Sequence, residues 1–206
     1  MSSRHGVTPE LTTEILVEAY STGYFPMADS RKGPIWWYSP DPRAVIPLDG
    51  FKISRSLRQR VRKGTYEIRF DTAFEAVIKA CADRKETWIS DEIIRGYTGL
   101  HRDGFAHSVE SWRQGILAGG LYGVSIGGAF FGESMFSHET DASKVALVAL
   151  VEHLRTHGFL LLDSQFINEH IRQFGTIEIP RVEYLRRLRV ALKVETNFGA
   201  AVLEGQ

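Results

Sequence analysis

Gly-Gly-Ala-Phe-Phe-Gly-Glu-Ser-Met-Phe-Ser (127–137) and Leu-Leu-Asp-Ser-Gln (161–165) are separated by one amphipathic segment, and the order of these three pieces decides the fold. Gly127 to Phe131 prolongs an apolar, Gly-rich run that begins at Ile116, and Phe159 to Leu162 is a short apolar run behind Gly158. Both read as buried strands. Between them, Thr140 or Asp141 can cap a helix that sets Val145, Val148 and Val151 beside Leu147, Leu150 and Leu154, and Gly158 stops it. Strand, helix and strand in this order make a right-handed crossover between parallel strands, whose carboxyl ends share one sheet edge. Ligands commonly bind at such an edge. Asp163 and Gln165, two apart on extended chain, are expected on one side with Glu133 opposite. Spacing alone leaves two readings open: a cleft lined by carboxylates and an amide, or a turn with a solvated charge.

Working outward, residues 8–20 suggest a helix, with Thr8 as cap, Pro9 in the first turn and Leu11, Ile15, Leu16 and Ala19 at helical spacing, ending at Gly23. Residues 24–47 are rich in Pro, Gly and aromatics and favour loops and short extended pieces. A small N-terminal domain is expected over 1–40 and the main domain over 41–206. The main domain continues with a basic stretch from Lys52 to Lys63, a strand over Tyr66–Phe70, a helix capped by Asp71 and a second helix after Ser90. Ala106–Trp112, a turn at Gln114-Gly115 and the run Ile116–Phe131 read as antiparallel strands, and a helix-strand-helix set spans roughly 167–193. The predicted class is α/β (α+β), a mixed sheet of the acetyltransferase-like, GNAT-type fold with a small N-terminal domain.

Composition narrows the function. The chain has 206 residues, 43% of them hydrophobic, enough for one sizeable core. Its 25 basic and 25 acidic residues cancel, so a nucleic-acid partner has to be met by a local patch. The single cysteine, Cys81, excludes an internal disulfide and lies on an apolar helix face with Phe74, Val77 and Ile78, which reads as a buried, inert thiol. No apolar run approaches a membrane span and the polar start lacks a signal-peptide core, so a cytoplasmic protein without a membrane partner is expected.

Several chemistries lack support. There is no Cys-x-x-Cys, His-Glu-x-x-His or Gly-x-Ser-x-Gly, and the histidines are scattered, so no metal and no serine nucleophile is expected. Gly119-Gly120, Gly123 and Gly127-Gly128 lie in a strand pattern and read as bulges or close backbone approaches, not a phosphate loop. A GNAT-type acyl-CoA transferase would carry a Gly-rich pyrophosphate loop before the crossover helix, whereas residues 137–144 contain no glycine. A non-catalytic RNA-binding module is disfavoured by the neutral net charge and by the carboxylate and amide at the strand ends.

Tyr24-Phe25-Pro26, Ser39-Pro40-Asp41-Pro42-Arg43, Ile53-Ser54-Arg55-Ser56, Thr87-Trp88-Ile89, His107-Ser108-Val109-Glu110, Gly119-Gly120-Leu121-Tyr122-Gly123, Gly132-Glu133-Ser134-Met135-Phe136-Ser137, Ala142-Ser143-Lys144, Asp163-Ser164-Gln165 and Ile179-Pro180-Arg181 occur in this order. Together they resemble the leucyl/phenylalanyl-tRNA–protein transferases of bacteria, over about residues 10–190. The resemblance implies transfer of Leu or Phe from Leu-tRNA or Phe-tRNA to proteins with an N-terminal Arg or Lys, creating an N-degron, with no cofactor and as a monomer. It implies that Gln165 positions the acceptor amine, that Asp163 draws its proton directly or through Gln165, and that Glu133 binds an ammonium group on either the ester or the acceptor. The family positions for the aminoacyl side chain fall on Leu121, Phe130, Met135 and Leu147. The terminal adenosine would stack on Trp88, and Met27 stands where some members carry Trp. Arg55, Arg62 and Lys63 match cationic tRNA-contacting positions, while Gln59 replaces a basic residue.

Overall fold

The computed structural model describes residues 3–5, as backbone, and residues 10–199. Two sheets are present. β1 (Ser3–His5), β2 (Phe25–Ala28) and β3 (Ile35–Ser39) form an antiparallel sheet in the order β1-β3-β2, next to helix α1 (Thr13–Ser21). Thr12 caps α1, its hydroxyl accepting from the Ile15 amide, so the helix starts later than the apolar spacing alone suggests. Thr8 and Pro9, expected to start it, lie outside the described residues.

The larger sheet is built from β4 (Arg43–Val45), α2 (Arg55–Arg62), β5 (Glu67–Phe70), α3 (Phe74–Ala82), α4 (Asp91–Arg102), β6 (Ala106–Arg113), β7 (Ile116–Ile126), β8 (Ala129–Ser137), α5 (Ala142–Thr156), β9 (Leu161–Gln165), α6 (Glu169–Arg172), β10 (Ile177–Ile179) and α7 (Arg181–Ala191). Its seven strands run β10-β4-β9-β8-β7-β6-β5. β5 to β8 pair antiparallel, and β8 pairs parallel with β9 through the α5 crossover, so the sheet is mixed as expected. The unforeseen element is β4, which leaves the Pro-rich segment and adds antiparallel to β9, carrying Arg43 into the core. The run from Ile116 to Phe131 is interrupted by a hairpin turn at Gly127, whose φ is +53°.

Apolar residues cover both faces of this sheet. On one, α5 buries Val145, Leu147, Val148, Leu150, Val151 and Leu154, each worth roughly 1.5–3 kcal/mol of transfer free energy. Leu150→Ala would leave a cavity costing about 2–5 kcal/mol. Glycines let α5 and the strands approach. A Cβ on Gly119 would stand 2.6 Å from Ala142 Cβ, and one on Gly123 would collide with the Phe131 carbonyl. The other face holds α1, α3 and α4, with Tyr20, Phe74, Ile78 and Tyr97 at its centre.

Two further helix starts differ from the sequence expectation. Asp71 does not cap α3; its carboxylate accepts from His107 and the Ser108 amide, and buried Glu110, reaching over from β6, accepts from the Thr72 and Ala73 amides instead. At α5, Asp141 occupies the cap position without a cap hydrogen bond because Arg60 and Lys144 engage its carboxylate. The Ser137 hydroxyl accepts from the Ser143 amide in its place. Cys81 is buried, and burial pushes its thiol up to about 12, an inert group at neutral pH.

Candidate active site

The parallel pairing of β8 and β9 ends at Phe131 opposite Asp163, and the two strands part beyond it. In the β7–β8 ladder Gly132 opposes Gly123 and Ser134 opposes Tyr122, which leaves Glu133 as the extra residue of a bulge. A bulge re-aims the side chain it carries. Glu133 turns toward α1 and α4, where Tyr20 donates to its Oε1 at 2.6 Å and Tyr97 to its Oε2 at 3.2 Å, the two hydroxyls also meeting each other. On β9, Gln165 departs from extended geometry with φ +65°, and its Nε2 donates to Glu133 Oε1 at 2.7 Å. Glu133 and Gln165 thus meet, as the crossover predicts.

Asp163 takes a different position from the one expected. It is fully buried, and Arg43, equally buried, grips it with Nε at 3.0 Å and Nη2 at 2.6 Å. Tyr184 donates to it at 2.8 Å, and its Oδ1 accepts from the Gln165 amide at 2.8 Å. Arg43 also lies over the rings of Phe25 and Tyr184 at 4.7 and 4.4 Å. The left-handed turn at Gln165 ends the strand's alternation there; Asp163 is among the residues lining the neighbouring cavity and Gln165 is not. Asp163 reaches Gln165 through the Gln165 backbone, not side chain to side chain.

Burial lifts Glu133 to about 7, the Tyr20, Tyr97 and Gln165 hydrogen bonds pulling it back down and the Asp163 charge adding to the rise. Among the described residues no guanidinium hydrogen-bonds it. Near neutrality Glu133 can be either a proton acceptor or an anionic site for an ammonium.

A cavity of about 590 Å³ opens beside this group. Leu121, Met135, Leu147, Leu150, Leu162 and Ile46 give it an apolar end, while Glu133, Tyr122, Arg84, Trp88 and His170 line other parts. Three of the four expected aminoacyl-pocket residues therefore line it. Phe130 does not: it is fully buried, stacked on Phe198 at 5.3 Å and pressed into the space left by Gly123, where it backs the wall without forming it. His170 Nε2 sits 3.1 Å from the Met135 sulfur, and Arg84 hydrogen-bonds the Met135 carbonyl.

The residues expected to meet tRNA fall in two places. Trp88 is half-buried on the cavity wall, and its carbonyl accepts from the Ala28 amide at 3.2 Å, which puts Met27 of β2 next to it in space although Met27 does not line the cavity. α2 buries Leu57 and exposes Arg55, Arg58, Gln59 and Arg62 along one open groove, with Lys63 exposed at its end. Arg60 is turned away to Asp141 at 3.1 Å. Among the described residues no cluster of three His, Cys, Asp or Glu could hold a metal, and no helix is long and apolar enough to cross a membrane.

Sequence reasoning missed Arg43, Tyr20, Tyr97 and Tyr184. Arg43 lies in a Pro-rich stretch expected to hold loops and short extended pieces, with no strand assigned to it. The tyrosines sit on helices whose buried faces are otherwise apolar, a place where a phenol signals a buried polar partner.

Comparison with known proteins matches the sequence to one family. The family model described as leucyl/phenylalanyl-tRNA protein transferase matches residues 45–189, and the model of that protein's N-terminal domain matches residues 9–41. Leucyl/phenylalanyl-tRNA–protein transferase of Gloeobacter violaceus is 58% identical over 188 residues, 91% of this chain and 97% of that protein. The protein of the same name from Rubrobacter xylanophilus is 58% identical over 189 residues, 91% of this chain and 98% of that one. Among solved structures, L-PGS from Bacillus licheniformis overlaps 77% of this chain and 55% of its own at 14% identity and a TM-score of 0.39. By the family models and by near-full-length relatives of this similarity, the chain belongs to the leucyl/phenylalanyl-tRNA–protein transferase family.

Proposed function

We propose that this protein moves Leu or Phe from aminoacyl-tRNA to the N-terminal Arg or Lys of proteins, marking them for proteolysis. The observation that carries the reading is the Gln165–Glu133 contact of 2.7 Å at the edge of a cavity with an apolar end. The amine attacks the ester carbonyl, an amide forms, and the tRNA 3′-terminal ribose hydroxyl leaves with a proton. Aminolysis of an ester is downhill, so the protein has to align the reactants and manage one proton. No covalent intermediate and no cofactor are needed.

The roles follow from the hydrogen bonds already spent. Gln165 donates to Glu133, and its amide oxygen has no partner among the described residues, so it is the group to accept from the attacking amine and orient it. Glu133 binds an ammonium and buffers the proton. Asp163, paired with Arg43, fixes the Gln165 backbone. Leu121, Met135 and Leu147 receive the Leu or Phe side chain, Met135 adapting to branched and aromatic shapes, with Phe130 behind them. Trp88 stacks the terminal adenosine beside Met27, and Arg55, Arg62 and Lys63 meet phosphates.

The reading extends to organisation: a GNAT-type splayed sheet as the catalytic domain over 41–206, a small domain over 1–40, and a monomer working in the cytoplasm, where charged tRNA is found. Incubating the purified protein with labelled Leu-tRNA and a peptide beginning with Arg tests it. Label appearing in that peptide, and not in the same peptide N-acetylated, is the expected result; no label in either overturns the function.

A further inference from the structure

Three tyrosines converge on Glu133, and their hydroxyls are spent differently. Tyr20 and Tyr97 donate to the carboxylate. The Tyr122 ring packs edge-on against Tyr97, centroids 5.7 Å apart, and is fully buried in the wall of the cavity. Its hydroxyl has no hydrogen-bond partner among the described residues. Burial and the nearby Glu133 charge hold that phenol well above its ordinary value, so it stays a neutral hydroxyl. Buried polar groups are nearly always paired, so an unpartnered hydroxyl on a residue that lines a cavity points to a partner that arrives with the cavity's occupant.

We propose that the Tyr122 hydroxyl is a substrate-binding group, accepting a hydrogen bond from the same primary ammonium that Glu133 holds. This rests on reading Glu133 as an ammonium site. A carboxylate offers about four lone-pair positions, and Tyr20, Gln165 and Tyr97 already occupy three, which leaves room for one N–H. An ammonium carries three. Tyr122 supplies a further acceptor next to the first. The cation has two sources of the same chemistry, the α-ammonium of the aminoacyl ester and the terminal amine of the acceptor.

Tyr122→Phe separates this from an idle hydroxyl, because removing an unpaired buried hydroxyl should leave melting temperature equal or higher. The dissociation constants of Phe-tRNA and N-acetyl-Phe-tRNA and the acceptor-peptide KM are measured for wild type, Tyr122→Phe and Glu133→Gln. We expect Tyr122→Phe to lose roughly 10–100-fold in one arm, the range for a hydrogen bond to a charged group. A loss for Phe-tRNA but not for its N-acetyl form assigns the ester ammonium; a loss in acceptor KM alone assigns the acceptor amine. Values within twofold of wild type in both arms, with Glu133→Gln impaired, overturn the role of Tyr122 alone. If Glu133→Gln is also unimpaired, the ammonium reading of Glu133 falls with it.

Discussion

Glu133 and Asp163 lie at the diverging ends of neighbouring strands, each surrounded by hydrogen-bond donors, yet the protein handles their charges by opposite means. Asp163 is neutralised by a buried guanidinium, two charges locked together with no solvent contact. Glu133 receives only neutral donors, so it answers burial by holding its proton up to about 7. The pair at Asp163 is a fixed support and costly to break. The cage at Glu133 can exchange a proton or accept a cation near neutrality. Of two carboxylates that look alike in sequence, the one without a charged partner is the one suited to chemistry.

The largest expected effect breaks the support. Asp163→Asn leaves Arg43 buried without its counter-charge and should cost about 3–5 kcal/mol of stability, read as a shift of the urea midpoint. An unchanged midpoint would mean that Asp163 is not the anchor described. The second effect concerns Glu133. Because folding raises its proton affinity, the fold binds more protons than the unfolded chain between about pH 4.5 and 7, so stability is greatest below that window and falls as pH rises through it. Its ionisation costs at most about 3 kcal/mol, less where solvent reaches it through the cavity. Glu133→Gln should flatten this slope in melting temperature against pH, and a slope equal to wild type would assign the titration elsewhere.

Smaller effects sharpen the division between wall and backing. Met135→Ala should change the ratio of Leu to Phe transfer by about 1–3 kcal/mol, while Phe130→Leu, one layer behind, should leave that ratio alone and lower stability. A ratio moved only by Phe130→Leu would exchange their roles. Trp88→Ala should weaken aminoacyl-tRNA binding by about 1–3 kcal/mol without altering its salt dependence. Arg62→Ala should shallow the log–log salt slope by roughly 0.7–0.9, and equal slopes would take Arg62 off the tRNA surface.

The crossover that brings Glu133 and Gln165 together was legible because α5 and its flanking strands differ in hydrophobic period, which sequence displays directly. What stayed hidden depended on single backbone events. The bulge at Glu133 and the left-handed turn at Gln165 each reverse a side chain's direction without changing the apolar pattern around it. Arg43 was invisible because β4 is three residues of a Pro-rich segment, and its pairing with β9 is a contact across 120 positions. Helix caps were misassigned where a distant side chain did the work, Glu110 for α3 being the case. Leu121, Met135 and Leu147 came from the resemblance and line the cavity, whereas Phe130 shows that a pocket position and the layer behind it look alike in sequence.

Under the proposed function Glu133, and not Asp163, is the carboxylate that works on the substrate. Single-turnover transfer of labelled Phe from saturating Phe-tRNA to a peptide beginning with Arg, by Glu133→Gln, tests it most directly. The account predicts a rate lower by roughly 10²-fold or more, as for a lost acid–base or charge-binding group, in a protein that stays folded at pH 7.5. A Glu133→Gln rate within threefold of wild type would contradict it.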